Sequence, residues 1–322
     1  MSLLFRMTSL TDLDSLSPTE SPVQLRWRSP VHERRAAKKK KKTVRRAPEV
    51  DKSRRYLRGK RLQEPHLSEV RLGRDTCHDG RRVVIKEPFR PGMIKAEIAA
   101  LTRIAGHRSI VTLLDFFCDR GSTFLVFKFV KGLDLIDWLN DFFADERPAE
   151  AVEAAMRPVA RQIAAALLHC HAHGVAHRDV KPENVRIHAR TQRVTLIDFG
   201  LSYVTDAHLD PQARVGSLDY AAPELRTLDA AVDPFKCDVW SLGVLVHAMT
   251  HHWLPFVRGQ PDTRAPPSAA FTRALRDTID ALLTEDSAAR PDMKAVTTSL
   301  PWMQKPASED DDDDDNGACL FE

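Results

Sequence analysis

The spacing of apolar residues along the chain changes from alternate positions to a helical period, which predicts a β-rich part followed by helices. Residues 70–72 and 83–85 are short runs with β-branched side chains, and a turn-forming Asp-Gly pair lies between them, so they predict a hairpin. Apolar positions recur at helical spacing over 94–105, and residues 124–129 form another strand-like run. We therefore expect a first, small β-rich unit that contains one helix.

Helical spacing dominates from residue 149 onward and includes a long amphipathic stretch at about 151–173. The apolar run at 124–130 contains Lys128 and is far shorter than a membrane span requires. These patterns fit an α+β protein with a small antiparallel β-sheet lobe and a larger, mainly helical lobe. Periodicity alone does not choose this two-lobed fold over other α+β arrangements.

Charge divides the chain into three parts, although the formal net charge is only +3. Residues 1–58 carry sixteen Lys and Arg against six Asp and Glu, whereas residues 304–322 carry one Lys against eight acidic residues. The first segment is also rich in Ser and Pro and lacks sustained periodicity, which is typical of disorder. We therefore expect a disordered basic arm at 1–56, a folded domain at 57–303 and a disordered acidic tail at 304–322.

The basic arm contains five consecutive lysines at 38–42, flanked by the arginine pairs at 34–35 and 45–46. Such a run is typical of a segment that a nuclear import receptor binds, but it also fits a patch for nucleic acid or acidic membrane, or a merely solvated tail. No zinc finger or aromatic RNA-binding signature accompanies it, so nucleic acid is not the primary partner that we expect. Our hypothesis is a nuclear or nucleocytoplasmic protein.

The five cysteines are scattered along the chain without any CxxC pair, which argues against a zinc site or a disulfide framework. This usage of cysteine is typical of a reducing compartment. The amino-terminal residues contain no apolar run long enough for a signal peptide. We expect an intracellular monomer that does not engage a membrane.

Five short motifs stand out by their order and their separations. Residues 177–184 read His-Arg-Asp-Val-Lys-Pro-Glu-Asn, and residues 198–200 read Asp-Phe-Gly. Ala-Pro-Glu follows at 222–224 and Asp-Val-Trp-Ser-Leu-Gly at 238–243, whereas Val-Ile-Lys precedes them at 84–86. Together these motifs resemble those of the eukaryotic-type protein kinase family, from about residue 57 to 303. The resemblance implies the two-lobed kinase fold and the transfer of phosphate from ATP to protein hydroxyls.

The resemblance also implies a role for each charged residue of the catalytic motifs. Asp179 would orient the acceptor hydroxyl and accept its proton, and Lys181 would stabilise charge that develops on the transferred group. Asn184 and Asp198 would supply oxygen ligands to Mg²⁺, which bridges the phosphates of ATP. Phosphoryl transfer needs alignment and charge neutralisation more than covalent work by the protein, and these residue types meet that need.

Further residues would hold ATP itself. Lys86 would bind the α- and β-phosphates, and the best candidate for the carboxylate that orients it is Glu97 on the following helix. The main chain of Phe129 and Val130 would form hydrogen bonds with adenine. Asp134 stands where an acidic residue often meets the ribose or a basic substrate residue, but it fits equally well as the N-cap of the next helix.

The loop that covers the phosphates departs sharply from the family pattern. Aligned on Leu62 and Val70, which would flank the nucleotide, the segment contains no glycine, although glycine normally lets main-chain N–H groups approach phosphate closely. Pro65 lacks an N–H group, and Glu64 brings a negative charge. Either the loop is suboptimal in an active enzyme, or the chain is a pseudokinase that binds partners. We favour activity, because every charged catalytic position is present.

Specificity for serine and threonine is implied by Lys181 and by the Gly-Ser-Leu-Asp-Tyr segment at 216–220. Ser217 is expected to form hydrogen bonds with the catalytic Asp and Lys. Glu224 and Arg290 match a buried ion pair that braces this segment in the large lobe. Residues around these motifs look most like the calmodulin-dependent and AMP-activated kinase group.

The sequence of the activation segment also bears on regulation. Arg178 of the catalytic loop normally meets a phosphate on the activation segment, but residues 213–215 read Ala-Arg-Val and cannot be phosphorylated. Asp206 or Asp210 would then supply a permanent negative charge. We therefore expect activity without an upstream kinase. The alternative phosphorylation sites in the segment are Ser202 and Thr205.

Overall fold

The computed structural model describes residues 49–50, 55–63, 67–207, 209–227, 230–256 and 266–304. The basic run at 34–46, the loop residues 64–66 and the acidic tail lie outside these ranges. Among the residues described, no helix combines the length and the apolar character that crossing a bilayer requires. They form a small lobe built on one sheet and a larger helical lobe, which confirms the predicted α+β architecture.

One antiparallel sheet forms the small lobe. Its strands are β1 Glu49–Val50, β2 Tyr56–Arg61, β3 Ser68–Asp75, β4 Arg81–Pro88, β5 Leu113–Asp119 and β6 Ser122–Lys128. They lie in the order β1-β2-β3-β4-β6-β5. The predicted hairpin is β3–β4, and Asp79 and Gly80 in its turn adopt left-handed φ angles of 49° and 66°. β1 is a strand within the segment 1–56, which the sequence analysis expected to be disordered. It forms because the edge of β2 offers main-chain groups with which β1 pairs.

The sheet is apolar on both faces. Helix α1 (Pro91–Arg103) contributes Ala100 and Leu101 to the main core, which also contains Leu125 and Phe127 of β6. A second apolar cluster lies within the same sheet and consists of Tyr56, Val83, Ile85, Phe124 and Val126. The main core continues from α1 into the large lobe, so the helix that carries Glu97 is packed against both lobes.

Five helices dominate the described part of the large lobe. They are α2 Leu135–Phe142, α3 Ala149–Ala172, α4 Pro234–His251, α5 Arg273–Leu282 and α6 Met293–Ser299. α3 is the long amphipathic helix that the sequence predicts. α4 is buried along almost its entire length, and its first turn is capped by the Asp233 carboxylate, which accepts hydrogen bonds from the N–H groups of Phe235 and Lys236. This buried helix gives the lobe a fixed central element.

Short strands at the front of the large lobe position the motif residues. They are β7 Leu133–Asp134, β8 Val175–Ala176, β9 Val185–Ile187, β10 Val194–Leu196 and β11 Tyr203–Val204. They form a three-stranded sheet in the order β10-β9-β7 and a pair, β11-β8. The catalytic-loop motif connects β8 to β9, and the Asp-Phe-Gly motif follows β10. The strand pairs therefore bring both motifs to the same edge of the lobe.

Candidate active site

Lys86 lies at the centre of a charge cluster between the lobes, in which Lys86 and Glu97 are buried. Its ammonium nitrogen is 2.7 and 2.8 Å from the two carboxylate oxygens of Glu97 and 2.8 Å from Oδ1 of Asp198. β4 supplies the lysine, α1 supplies Glu97, and the loop after β10 supplies Asp198. The structure therefore joins three residues that are far apart in the sequence, and it gives Glu97 the position that the kinase resemblance implies.

The pKa values of this cluster follow from burial and from the opposite charges. Burial alone would lower the pKa of Lys86, but the carboxylates of Asp198 and Glu97 raise it above its ordinary value. Burial raises the pKa of Glu97, and the lysine charge opposes that effect. Burial would also raise the pKa of Asp198, but Lys86 holds it below its ordinary value. A permanent cation and an ionised Asp198 are thus available near neutral pH.

Asp179 is held on both carboxylate oxygens by its neighbours. Ser217 donates its hydroxyl hydrogen to Oδ1 at 2.8 Å, and the amide nitrogen of Asn184 donates to Oδ2 at 2.8 Å. The Lys181 ammonium lies 3.0 Å from Oδ2 and donates to the Ser217 hydroxyl at 2.7 Å. The predicted contacts of Ser217 with Asp179 and Lys181 are therefore confirmed, and the carboxylate has one fixed orientation.

A buried carboxylate from α4 fixes the backbone of this catalytic loop. Asp238 is fully buried and accepts hydrogen bonds from the N–H groups of His177 and Arg178 at 2.7 and 2.8 Å, and it contacts His171 at 2.9 Å. Arg178 has a left-handed φ of 65°, a conformation that costs energy for a residue with a side chain. The sequence contained the signal, since Asp238 opens one of the five motifs, but its contacts could not be predicted from its position.

Asn184 and Asp198 have the donor atoms that Mg²⁺ requires. The Asn184 amide nitrogen is engaged with Asp179, which leaves its carbonyl oxygen as the free ligand atom of that side chain. Lys86 contacts one carboxylate oxygen of Asp198, whose side chain is about half exposed. Among the described residues no group of three or more His, Cys, Asp or Glu could hold a metal. Mg²⁺ is usually bound through one or two protein carboxylates together with phosphates and water.

The residues expected to surround adenine come from the small lobe and from the segment that connects the two lobes. Phe129 and Val130 follow β6 and connect the lobes, and both are half-buried. Val70 lies opposite the cleft lysine in the β3–β4 ladder, and its carbonyl accepts a hydrogen bond from the N–H of Leu62 at 2.9 Å. Leu62 itself is largely exposed. The glycine-free loop tip, residues 64–66, lies outside the described residues.

Asp134 does not act as a helix cap, and its side chain has another partner. It stands at the N-cap position of α2, but its side chain forms no capping hydrogen bond there, so that interpretation was wrong. Instead its Oδ1 pairs with the guanidinium of Arg186 at 2.5 Å. Arg186 also donates to the main-chain oxygen of Gly132. The pairing of β7 with β9 brings Arg186 into reach, and local sequence cannot reveal such a partner.

The predicted ion pair of the large lobe is confirmed. Arg290 donates to both carboxylate oxygens of Glu224 at 2.8 and 3.0 Å, and both side chains are buried. Nearby, Gly216 has a φ of 113°, and a Cβ atom there would lie 2.5 Å from the main-chain oxygen of Arg178. Glycine is therefore required where the segment that contains Ser217 crosses the catalytic loop.

Arg178 donates its side-chain hydrogen bonds to main-chain oxygens. Its guanidinium donates to the carbonyl of Leu201 at 2.7 Å and to the carbonyl of Asp210 at 3.3 Å. The Asp210 carboxylate instead accepts the N–H of Gln212 at 2.9 Å. Burial lowers the pKa of Arg178, and the negative charges of Asp238 and Asp210 oppose that effect. Asp210 therefore acts on Arg178 through its charge, and the substitution of a permanent negative charge for a phosphate stays a prediction.

Comparison with known proteins gives a consistent result. A model of the protein kinase domain matches residues 80–303, which is more than half of the chain. The match begins after β3 and therefore after the segment that lacks the expected glycines.

Curated relatives carry the names of protein kinases, and two of the three described here are named as serine/threonine kinases. The chain is 34% identical over 207 residues to CBL-interacting protein kinase 22 of Oryza sativa subsp. japonica, covering 62% of this chain and 43% of that protein. It is 35% identical over 216 residues to a probable serine/threonine-protein kinase, the KIN1 homolog of Enterocytozoon bieneusi, covering 62% and 35%. It is 31% identical over 272 residues to CBL-interacting serine/threonine-protein kinase 5 of Arabidopsis thaliana, covering 78% and 58%. The chain thus spans between about a third and three fifths of the length of these relatives.

Proposed function

The chain belongs to the protein kinase family, and we propose that it transfers the γ-phosphate of ATP to serine and threonine hydroxyls of protein substrates. The observation that carries this proposal is the Asp179 carboxylate, which three neighbours hold in one orientation. The charge cluster of Lys86, Glu97 and Asp198 stands complete beside it. A site that had lost turnover would not be expected to retain every charged position, so we favour an enzyme over a scaffold.

Each residue has a defined task in this proposal. Asp179 receives the proton of the acceptor hydroxyl, and its bond from Ser217 keeps the carboxylate aimed at the peptide side of the cleft. Lys181 places a positive charge beside the transferred group, and Lys86 neutralises the α- and β-phosphates. Asn184 completes the fixed geometry by donating to Asp179. The protein therefore contributes alignment and charge, which phosphoryl transfer chiefly requires.

ATP and Mg²⁺ are the cofactors that we propose. Asn184 and Asp198 would hold Mg²⁺, which neutralises charge on the phosphates when bound. The main chain of Phe129 and Val130 would bind adenine, Leu62 and Val70 would flank it, and Asp134 would reach the ribose. Because the phosphate-covering loop lacks glycine, we expect a raised KM for ATP. A KM in the ordinary micromolar range, unaffected by Pro65→Gly, would contradict that expectation.

The test of the proposed function is label transfer from γ-labelled ATP and Mg²⁺ to a mixed basic protein substrate, followed by acid hydrolysis. We expect phosphoserine and phosphothreonine, and loss of both in the presence of EDTA and in Lys86→Met. Lys128→Met is the matched control, because Lys128 lies on the neighbouring strand with an exposed side chain, and it should retain activity. Label on tyrosine, or none above Lys86→Met, would contradict the proposal.

We also propose a nuclear or nucleocytoplasmic location, with the basic run at 34–46 bound by an import receptor and the kinase acting as a monomer. Nucleic acid is a secondary candidate for the same arm. Deletion of residues 1–56 should abolish nuclear accumulation of a fluorescent fusion. A DNA affinity that falls steeply with salt and disappears in the same deletion would favour nucleic acid as an additional partner.

A further inference from the structure

The segment that leads to Ser217 is fastened by a glutamine side chain. The amide of Gln212 donates from Nε2 to the carbonyl of Val232 at 3.1 Å and accepts at Oε1 from the N–H of the same residue at 2.9 Å. One side chain thus satisfies both main-chain groups of a residue twenty positions further along the chain. A reciprocal pair fixes distance and orientation together, which a single hydrogen bond does not.

The partner of Gln212 belongs to the rigid part of the large lobe. Val232 is buried and directly precedes Asp233, the N-cap of the buried helix α4. The same helix carries Asp238, which holds the N–H groups of the catalytic loop. Gln212 therefore connects the activation segment to the start of α4, the helix that also positions the catalytic loop with Asp179. The activation segment and the catalytic loop are thus both held by α4.

The neighbouring arginines find main-chain carbonyls as partners. Arg214 donates to the carbonyls of Glu224 at 2.5 Å and Ala230 at 3.4 Å. Arg178 donates to the carbonyls of Leu201 and Asp210. These contacts connect the activation segment to its surroundings through main-chain oxygens, and residues 211–216 contain no hydroxyl that could be phosphorylated.

We propose that Gln212 is a positioning residue that holds the substrate-facing segment 213–220 in its catalytic geometry, in the place where other kinases use a phosphorylated side chain. The proposal rests on the function proposed above and gives a structural basis for the predicted activity without an activating kinase. The amide of Gln212 is neutral and permanent, so the active arrangement forms on folding. Arg214, two residues further along the segment, stabilises the same arrangement through its hydrogen bonds to the carbonyls of Glu224 and Ala230.

Gln212→Met tests this role, because methionine keeps the length of the side chain and removes both hydrogen bonds. Gln212 lies at the surface, so the variant is expected to fold. Gln162→Met is the matched control. Gln162 also bridges main-chain groups, donating to the carbonyl of Gln192 at 2.9 Å and accepting from the N–H of Val194 at 3.0 Å. It lies on α3, outside the activation segment.

We expect Gln212→Met to lower kcat/KM for a peptide substrate by between about fivefold and a hundredfold, the range that corresponds to two hydrogen bonds of ordinary net strength. The KM for ATP should change by less than about twofold, because the Lys86 cluster is untouched. Gln162→Met should leave both parameters unchanged. Wild-type enzyme that has been treated with phosphatase should retain its full rate.

Equal effects of the two variants on kcat/KM, no effect of Gln212→Met, or loss of wild-type activity after phosphatase treatment would overturn the proposal. Hydrogen exchange at the Val232 amide provides a readout that does not require turnover. We expect faster exchange there in Gln212→Met than in wild type. Unchanged exchange would overturn the clamp, meaning the pair of hydrogen bonds between Gln212 and Val232, even if no substrate were phosphorylated. Absence of label transfer by wild type, with faster exchange at Val232 in the variant, would instead reject the proposed function and leave the clamp supported.

Discussion

Arg290 is a residue whose replacement has a cost that can be estimated directly from its contacts. Its guanidinium is buried and forms a two-pronged ion pair with Glu224 at 2.8 and 3.0 Å, and it also donates to the main-chain oxygens of Thr284 and Lys236. Arg290→Met keeps much of the apolar volume but leaves a carboxylate buried without its counter-charge. Removing one partner of such a pair costs about 3–5 kcal/mol.

Urea unfolding followed by tryptophan fluorescence measures this cost, because Trp240 is buried and becomes exposed to water on unfolding. Its ring centroid lies 5.0 Å from the guanidinium carbon of Arg290. The matched control is Arg273→Met, since Arg273 pairs with Asp277 at 3.3 Å but is 86% exposed. We expect the free energy of unfolding to fall by about 3–5 kcal/mol in Arg290→Met and by less than about 1 kcal/mol in Arg273→Met. Similar losses in the two variants would refute the reasoning that burial of the pair sets its cost.

Three further predictions concern activity and pH. Glu97→Gln should lower kcat/KM for ATP by between about tenfold and a hundredfold, because a charged hydrogen bond to the cleft lysine is lost; an unchanged value would contradict its role. Burial lowers the pKa of His251 from 6.5 to about 4, so its neutral form stabilises the fold above pH 6.5. That stability, up to about 3 kcal/mol, is lost as pH falls toward 4, and urea unfolding should show a weaker pH dependence in His251→Gln. Gly216→Ala should reduce kcat/KM for the peptide at least about tenfold, because the added Cβ would lie 2.5 Å from the main-chain oxygen of Arg178. Gly92→Ala is the control: its Cβ would meet no atom within 4 Å, so the same parameter should not change.

The sequence predicted those parts of the fold that depend on local periodicity. The β3–β4 hairpin, α1 and the long helix α3 were predicted because their apolar spacing and turn residues are strong local signals. β1 and the pair β8–β11 were not predicted, since each strand has only two residues and too few positions to show alternation. Their existence depends on main-chain pairing with distant segments, as Tyr203 and Ala176 illustrate.

The candidate site divides in the same way. Short motifs contain Asp179, Lys86 and Asp198, so the family resemblance predicted that these residues lie in one site. The partner of Asp134 could not be predicted, because Arg186 lies 52 residues away and reaches it only through strand pairing. The contacts of Gln212, Arg214 and Asp238 were missed for the same reason: each binds main-chain groups, and main-chain groups leave no signature in the sequence.

Asp179 offers the most direct test of the account. The measurement is kcat for phosphate transfer from Mg²⁺·ATP to serine in a basic peptide, compared between wild type and Asp179→Asn. The substitution preserves the size of the side chain and leaves Ser217 and Asn184 in place, but it removes the group that accepts the proton. General base catalysis of this kind contributes about a hundredfold or more, so we predict a wild-type rate at least about a hundredfold above that of the variant. Equal rates in two folded proteins would contradict the claim that this site transfers phosphate.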